Sequence, residues 1–270
     1  MAEIKANGIV HRYEIHGGKE DIPLVLIAGM GGAGSFWQPQ LDALSRHRTV
    51  LVYDQRGTGG TERVTVKSIE QLADDLEALL DALNIPRADM LGHSTGGAIA
   101  QVVAARNPDR VGSLMLYASI HRADAYRRRI WGLRKLILEK LGPEVYAQTT
   151  TLFFYPPEHV ARNDEALKAV EARSASKELA AADIMASRID AILAFSFEDQ
   201  LRRIRARTLV CCAKDDMLTP AYFSCEIAAL IPGAELTLWN SGGHAFSRSH
   251  PDEFNQLALS FLEGANAPAQ

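Results

Sequence analysis

Gly92-His93-Ser94-Thr95-Gly96 sets a serine between two glycines, and a serine so placed can be lifted on a sharp turn with its hydroxyl clear of the backbone. A serine hydroxyl is a weak nucleophile until a base takes its proton. Such a residue needs a histidine, and the histidine needs a carboxylate to orient it. Both lie downstream. Asp215 and Asp216 are adjacent in Ala213-Lys214-Asp215-Asp216-Met217-Leu218-Thr219-Pro220, and His244 stands in Gly242-Gly243-His244-Ala245-Phe246, where the glycines permit a tight approach. The chemistry open to Ser94, one of the two aspartates and His244 is attack on a carbonyl carbon with proton transfer through the imidazole. The negative oxygen that develops needs N–H donors, and Thr95, the residue after the serine, offers one.

A serine beside glycine is ordinary loop chemistry, so the elements around it decide its meaning. Ala88 to Leu91 closes a short buried strand before it, and Gly97 to Ala105 reads as an alanine-rich buried helix after it. Apolar runs recur along the chain: an alternating segment from Ile9 to Ile15, expected as an edge strand in a hairpin, then Leu24–Ala28, Val50–Tyr53, Leu114–Tyr117, Thr208–Cys212 and Leu236–Trp239. Helical spacing marks segments near Trp37 to Leu44, Ile69 to Leu83 before the stop at Pro86, and Glu253 to Leu262. Strands alternating with helices predict a mainly parallel sheet covered on both faces. The serine, the aspartates and the histidine each follow a strand, at the end where doubly wound sheets place their sites. From 121 to 200 no buried strand occurs, and helices with Arg, Lys and scattered aromatic residues predict a cap inserted over the strand ends. The expected division is a core of 1–120 and 201–270 and a helical cap of 121–200.

At 270 residues, 47% hydrophobic and 23% charged with net charge −4, the chain fits a globular protein and suggests no nucleic-acid partner. No apolar run is long enough to span a bilayer and the start does not resemble a signal peptide, which predicts a cytoplasmic protein without a membrane partner. Cys211, Cys212 and Cys225 are an odd set with two neighbours in an apparent strand, so buried small side chains are expected and not a disulfide framework. No histidine or cysteine spacing suits a metal, and Gly29-Met30-Gly31-Gly32-Ala33-Gly34 lacks both the phosphate-loop and the dinucleotide register. A small-molecule substrate, no cofactor, and a monomer or homodimer are expected.

The order Ser94, Asp216, His244, with the turns around them, resembles the α/β-hydrolase superfamily over essentially the whole chain. That resemblance implies a mostly parallel, doubly wound eight-stranded sheet with a helical cap inserted after the sixth strand. The superfamily's Gly-x-x-Asp-x-x-x-Pro turn, counted back from Pro220, implies Asp216 as the carboxylate and leaves Asp215 a solvated turn residue. Its His-Gly-x-x-Gly loop corresponds to Ala28-Gly29-Met30-Gly31-Gly32, which implies the Met30 N–H as a second oxyanion donor beside Thr95, with alanine in place of the usual histidine. Asp54-Gln55-Arg56-Gly57-Thr58-Gly59 matches a further turn whose Asp54 and Arg56 are read as structural.

Within the superfamily, the segments 28–41 and 53–59 and Leu152-Phe153-Phe154-Tyr155-Pro156 look most like the aminoacrylate hydrolases of the Rut pyrimidine-degradation pathway, and similar wording occurs in the 3-oxoadipate enol-lactone hydrolases of aromatic catabolism. The resemblance implies a serine hydrolase that acts through an acyl-enzyme on a small, polar, carboxylate-bearing catabolic intermediate. A carbon–carbon bond hydrolase, a general carboxylesterase and a ligand-binding or signalling protein on the same scaffold are the alternatives. Gly29, Trp131, Phe153, Tyr155 and Arg129 are the expected substrate contacts. Arg127-Arg128-Arg129 and Arg134-Lys135 could present a guanidinium to a carboxylate, although consecutive arginines on a helix point in different directions and most belong to a solvated face.

Overall fold

Leu24-Val25-Leu26-Ile27 and Val50-Leu51-Val52-Tyr53 are buried at every position, as strands must be when helices cover both faces of a sheet. The computed structural model describes residues 2–18, 22–175 and 181–264. Eight strands run in chain order β1 (Ala2–Ala6), β2 (Ile9–His16), β3 (Leu24–Ile27), β4 (Val50–Tyr53), β5 (Ala88–His93), β6 (Val111–Tyr117), β7 (Arg207–Ala213) and β8 (Glu235–Trp239). They form one sheet of order β1-β2-β4-β3-β5-β6-β7-β8. The β1–β2 and β2–β4 pairs are antiparallel and all the others parallel.

Alternation along the strands sends successive side chains to opposite faces. Val25 and Ile27 join an apolar cluster with α2 (Ile69–Ala82) and α3 (Thr95–Arg106), while Leu24 and Leu26 join another with α1 (Gln38–Ser45) and α9 (Pro251–Gly264). Ser68 starts α2 by accepting a hydrogen bond from the Gln71 N–H at 3.2 Å. The central α3 is buried from Thr95 through Ala104, and its small side chains let it lie close to the strands.

Between β6 and β7 the chain forms α4 (Ala125–Phe154), broken at Gly142 (φ 84°) ahead of Pro143, then α5 (Pro157–Arg173) and α6 (Ala182–Ala194). The helical insertion thus follows the sixth strand, as expected. No helix among the described residues is long and apolar enough to cross a membrane. A short α7 (Ala221–Leu230) follows β7, and α8 (Phe246–Ser249) follows the His244 loop.

Two expectations need correction. Ile9–His16 is not the edge strand, because β1 pairs outside it. Asn7 and Gly8, both at positive φ (47° and 80°), form the two-residue hairpin turn that an Asn-Gly pair favours. Cys225 is exposed, unlike Cys211 and Cys212, because α7 buries Phe223, Ser224 and Ile227 on the side away from it.

Candidate active site

Ser94 sits where β5 turns into α3, at φ 53° and ψ −117°, a conformation that costs a non-glycine residue roughly 1–3 kcal/mol. The surroundings hold it there. Its N–H donates to the Tyr117 carbonyl at 2.9 Å, and its own carbonyl accepts from Ser119 Oγ at 2.9 Å. The flanking glycines are steric necessities, since a Cβ on Gly96 would stand 2.2 Å from the Ile27 carbonyl oxygen and one on Gly92 would stand 2.5 Å from that of Gly96.

Asp216 follows β7 and is buried. Its Oδ1 accepts the backbone N–H groups of Leu218 (2.8 Å) and Thr219 (2.9 Å), and its Oδ2 lies 2.7 Å from both Thr219 Oγ1 and His244 Nδ1. Thr219 Oγ1 is farther from Nδ1, at 3.2 Å, so the carboxylate is the ring's closer partner. With Nδ1–H donating to Asp216, Nε2 is left as the basic nitrogen of the ring. Ser94 and His244 line the same cavity, about 450 Å³ in volume, roofed by side chains of the insertion that include Trp131, Arg134 and Tyr155.

Backbone contacts fix the histidine loop. The His244 carbonyl accepts two hydrogen bonds, from Tyr117 Oη at 2.9 Å and from His93 Nε2 at 3.1 Å. His93 is itself buried, stacked on Phe36 with ring centres 4.5 Å apart, and burial pushes its pKa well below the usual imidazole value, helped by the neighbouring His244. It is therefore a neutral ring with its proton on Nε2. The Ala245 N–H donates to the Phe154 carbonyl at 3.1 Å, which ties the loop to the end of α4.

A family model for the α/β-hydrolase fold matches residues 22–251 of this chain. The chain belongs to the α/β-hydrolase fold family. Among its relatives in that family is a RutD protein of Azorhizobium caulinodans, named as a carbamate hydrolase, which is 40% identical over 92% of this chain and 93% of its own length. A RutD protein of Caulobacter vibrioides with the same description is 36% identical over 94% of this chain and 95% of its own. The crystal structure of the enol-lactonase from Burkholderia xenovorans LB400 superposes with a TM-score of 0.89 at 27% identity, covering 97% of this chain and all of that one. Hydrolysis is the class of activity that this α/β-hydrolase family and these relatives support.

Ser94, Asp216 and His244 follow β5, β7 and β8; the last two strands are neighbours, and β6 lies between β5 and β7. Asp216, and not Asp215, meets the ring. Asp215 is not merely solvated, because it accepts hydrogen bonds from Ser241 Oγ (2.7 Å) and from the N–H groups of Gly242 (3.2 Å) and Gly243 (2.9 Å), and so shapes the loop that carries His244.

Met30 and Gly29 line the cavity. Gly29 has a steric role as well, since a Cβ there would stand 2.9 Å from His93 Nδ1 and 3.2 Å from Ser94 Cβ. Thr95 opens α3, where helical geometry leaves its N–H without an intrahelical acceptor.

Support for the glycine loop comes from residues that the motifs do not point to. Gln55 Nε2 donates to the Ala28 carbonyl at 2.6 Å, and Arg188 of α6 donates from Nε to the Met30 carbonyl at 2.9 Å, from Nη1 to the Arg56 carbonyl at 3.1 Å and from Nη2 to Gln55 Oε1. Burial lowers the Arg188 pKa to about 10. Asp54 accepts from the N–H groups of Gly34 and Gly60, both at 2.8 Å, and Arg56 pairs with buried Asp75, so both act as braces.

Of the expected substrate contacts, Trp131 and Tyr155 line the cavity, whereas Phe153 and Arg129 do not. The reason is helical phase. The buried stripe of α4 runs through Arg127, Ile130, Trp131, Arg134 and Leu138, which turns Arg129 to the exposed side. Near the helix end it is Phe154 that lines the cavity, while the Phe153 ring packs against the Arg134 guanidinium at 5.3 Å.

Proposed function

We propose that this protein is a serine hydrolase that works through Ser94, His244 and Asp216 by way of an acyl-enzyme. The observation that carries the reading is the 2.7 Å bond from His244 Nδ1 to Asp216 Oδ2, made at the wall of a cavity that the strained Ser94 also lines. In this mechanism His244 Nε2 takes the Ser94 proton as Oγ attacks the substrate carbonyl carbon. The N–H groups of Met30 and Thr95 hold the oxyanion. The tetrahedral intermediate collapses, the imidazolium gives its proton to the leaving group, and an ester to Ser94 Oγ remains. Water then attacks that ester with the same imidazole as base, and the acid product leaves Ser94 with its proton restored. Asp216 keeps the ring in the productive tautomer and stabilises its charged form.

For substrate we propose a small, polar, carboxylate-bearing catabolic intermediate of the aminoacrylate, carbamate or enol-lactone type. The RutD relatives, named as carbamate hydrolases, support the carbamate type and the enol-lactonase the enol-lactone type, while the aminoacrylate type rests on the resemblance of the segments 28–41, 53–59 and 152–156. Residues 121–200 serve as the cap over it, and the enzyme works in the cytoplasm on a free small molecule. Ser94→Ala is expected to lower turnover of p-nitrophenyl acetate by roughly 10⁴- to 10⁶-fold and to abolish labelling by a fluorophosphonate, with the melting temperature kept. Near-normal turnover in that variant removes Ser94 from the mechanism.

A further inference from the structure

Among the described residues five arginines are buried; Arg48 and Arg56 pair with Asp89 and Asp75, whereas Arg127, Arg134 and Arg188 have no carboxylate partner. Arg188 has a partner at each of its three nitrogens, and Arg127, whose Nη1 donates to the Leu218 carbonyl, is not part of the cavity wall. Arg134 differs from both. It is 2% exposed and lines the same cavity as Ser94 and His244, yet only its Nη2 has a partner, Thr150 Oγ1 at 2.8 Å. Its Nε and Nη1 are buried with no hydrogen-bond partner, and no carboxylate among the described residues lies within ion-pair distance of it.

A guanidinium carries five N–H donors in one plane, and leaving them unpaired in a buried position is costly. The cost is not a failure of local packing, because the surroundings fix the group. Thr150 Oγ1 donates its own proton to the Tyr146 carbonyl at 2.8 Å, which turns a lone pair toward Arg134. The rings of Tyr146, Trp131 and Phe153 stand 4.5, 5.0 and 5.3 Å from the guanidinium carbon. Aromatic faces over the guanidinium leave its in-plane edge as the direction from which a ligand can approach. An edge of adjacent N–H groups matches the two oxygens of a carboxylate. Its single charge balances a monoanion, whereas a phosphate dianion demands a second unpaired cation. Of the other arginines that line this cavity, Arg248 donates from Nη1 to the Phe36 carbonyl and keeps its charge, and Arg173 has an interaction of its own, so the phosphate arm of the test below separates the two anions.

We propose that Arg134, held in its aromatic collar by Thr150, is the specificity-determining residue that grips a carboxylate of the substrate while the scissile carbonyl lies at Ser94. This rests on the reading of the cavity as a hydrolase site and adds to it the residue that selects the anion. It also corrects the sequence-based choice of Arg129, which lies on the same helix but on its exposed side.

The test compares the mono-p-nitrophenyl ester of adipate with p-nitrophenyl hexanoate, which has the same chain length and no carboxylate. Calorimetric titration with adipate, adipamide and inorganic phosphate runs beside it and needs no turnover. Wild-type protein is expected to favour the carboxylate ester and to bind adipate but not adipamide or phosphate. Arg134→Met is expected to lower the ratio of kcat/KM for the two esters by about 10- to 100-fold, mainly through KM, and to weaken adipate binding by a like factor. Arg134→Lys, which keeps the charge and loses the paired geometry, should fall between. If Arg134→Met does not fold, the lysine variant and the wild-type preference decide. A wild-type protein that treats the two esters alike and does not bind adipate overturns the proposal even if both esters are cleaved. Adipate binding that depends on Arg134, found together with no turnover and no labelling of Ser94, sinks the hydrolase reading and leaves the anchor standing. Preferential binding of phosphate overturns the choice of carboxylate.

Discussion

Asp215 and Asp216 are chemically identical neighbours with different work, because the chain turns between them. Asp216 spends Oδ1 on two backbone N–H groups and Oδ2 on the His244 ring, whereas Asp215 spends both oxygens on the backbone and serine of the loop 241–243. Asp216→Asn is expected to cut kcat on an activated ester by about 10⁴-fold, since an amide in that place favours the wrong tautomer of the ring. Asp215→Asn should lower kcat by no more than about tenfold and show its larger effect in the melting temperature. Stopped kinetics and a thermal melt on both variants separate the roles, and equal losses of kcat would refute the division. The resemblance to the superfamily's turn, counted back from Pro220, implies Asp216, and such a turn is legible because it is local in sequence. The hydrogen bonds of Tyr117 and His93 to the His244 carbonyl were out of reach, since they join residues 127 and 151 positions apart.

At the scale of elements, the elbow and the glycine loop are braced by different means. The elbow is steric. Gly96→Ala would push a methyl group into the Ile27 backbone, and the expected result is an insoluble or unfolded protein, read by soluble yield and circular dichroism. The glycine loop is held by hydrogen bonds, and its brace comes from the insertion. Arg188→Met strips the Met30 and Arg56 carbonyls of donors in a buried place, with an expected loss of about 3 kcal/mol in urea unfolding and a 10- to 100-fold fall in kcat that exceeds the change in KM. An unchanged kcat would show that the Met30 peptide holds its orientation without the arginine. Strands β3 to β8 were readable because each is a short apolar run closed by a turn, and the alanine-rich α3 because it follows the elbow directly. The first strand was not, since Ala2–Ala6 buries little and only the Asn7-Gly8 pair signals it. Arg188 sits 158 residues from the carbonyl it supports, in a helix whose polar residues look like any solvated face.

For the whole molecule, histidine burial sets the response to acid. Burial lowers the pKa of His93 strongly, that of His121 to about 4 with help from Arg122, and that of His11. In the unfolded chain these rings take a proton near pH 6.5, and in the folded one they resist it until a lower pH. The unfolded state therefore binds more protons in between. The stability these rings confer is complete above about pH 6.5 and drains as pH falls below it, for His121 down to about pH 4. Urea midpoints are expected to be flat from pH 7 to 8 and to fall steeply from 6.5 to 5, with His121→Gln giving a shallower fall by about one proton. A midpoint that does not move over that interval contradicts the burial of these rings.

The bond from the Ala245 N–H to the Phe154 carbonyl couples the insertion to the loop after β8. It stitches the end of α4 to the peptide next to His244, and Gly243 lies against the same stitch with no room for a side chain. A displacement of the Phe154 peptide would pull on the peptide beside the ring that meets Asp216. While the bond holds, the end of α4 and the His244 loop shift together or not at all.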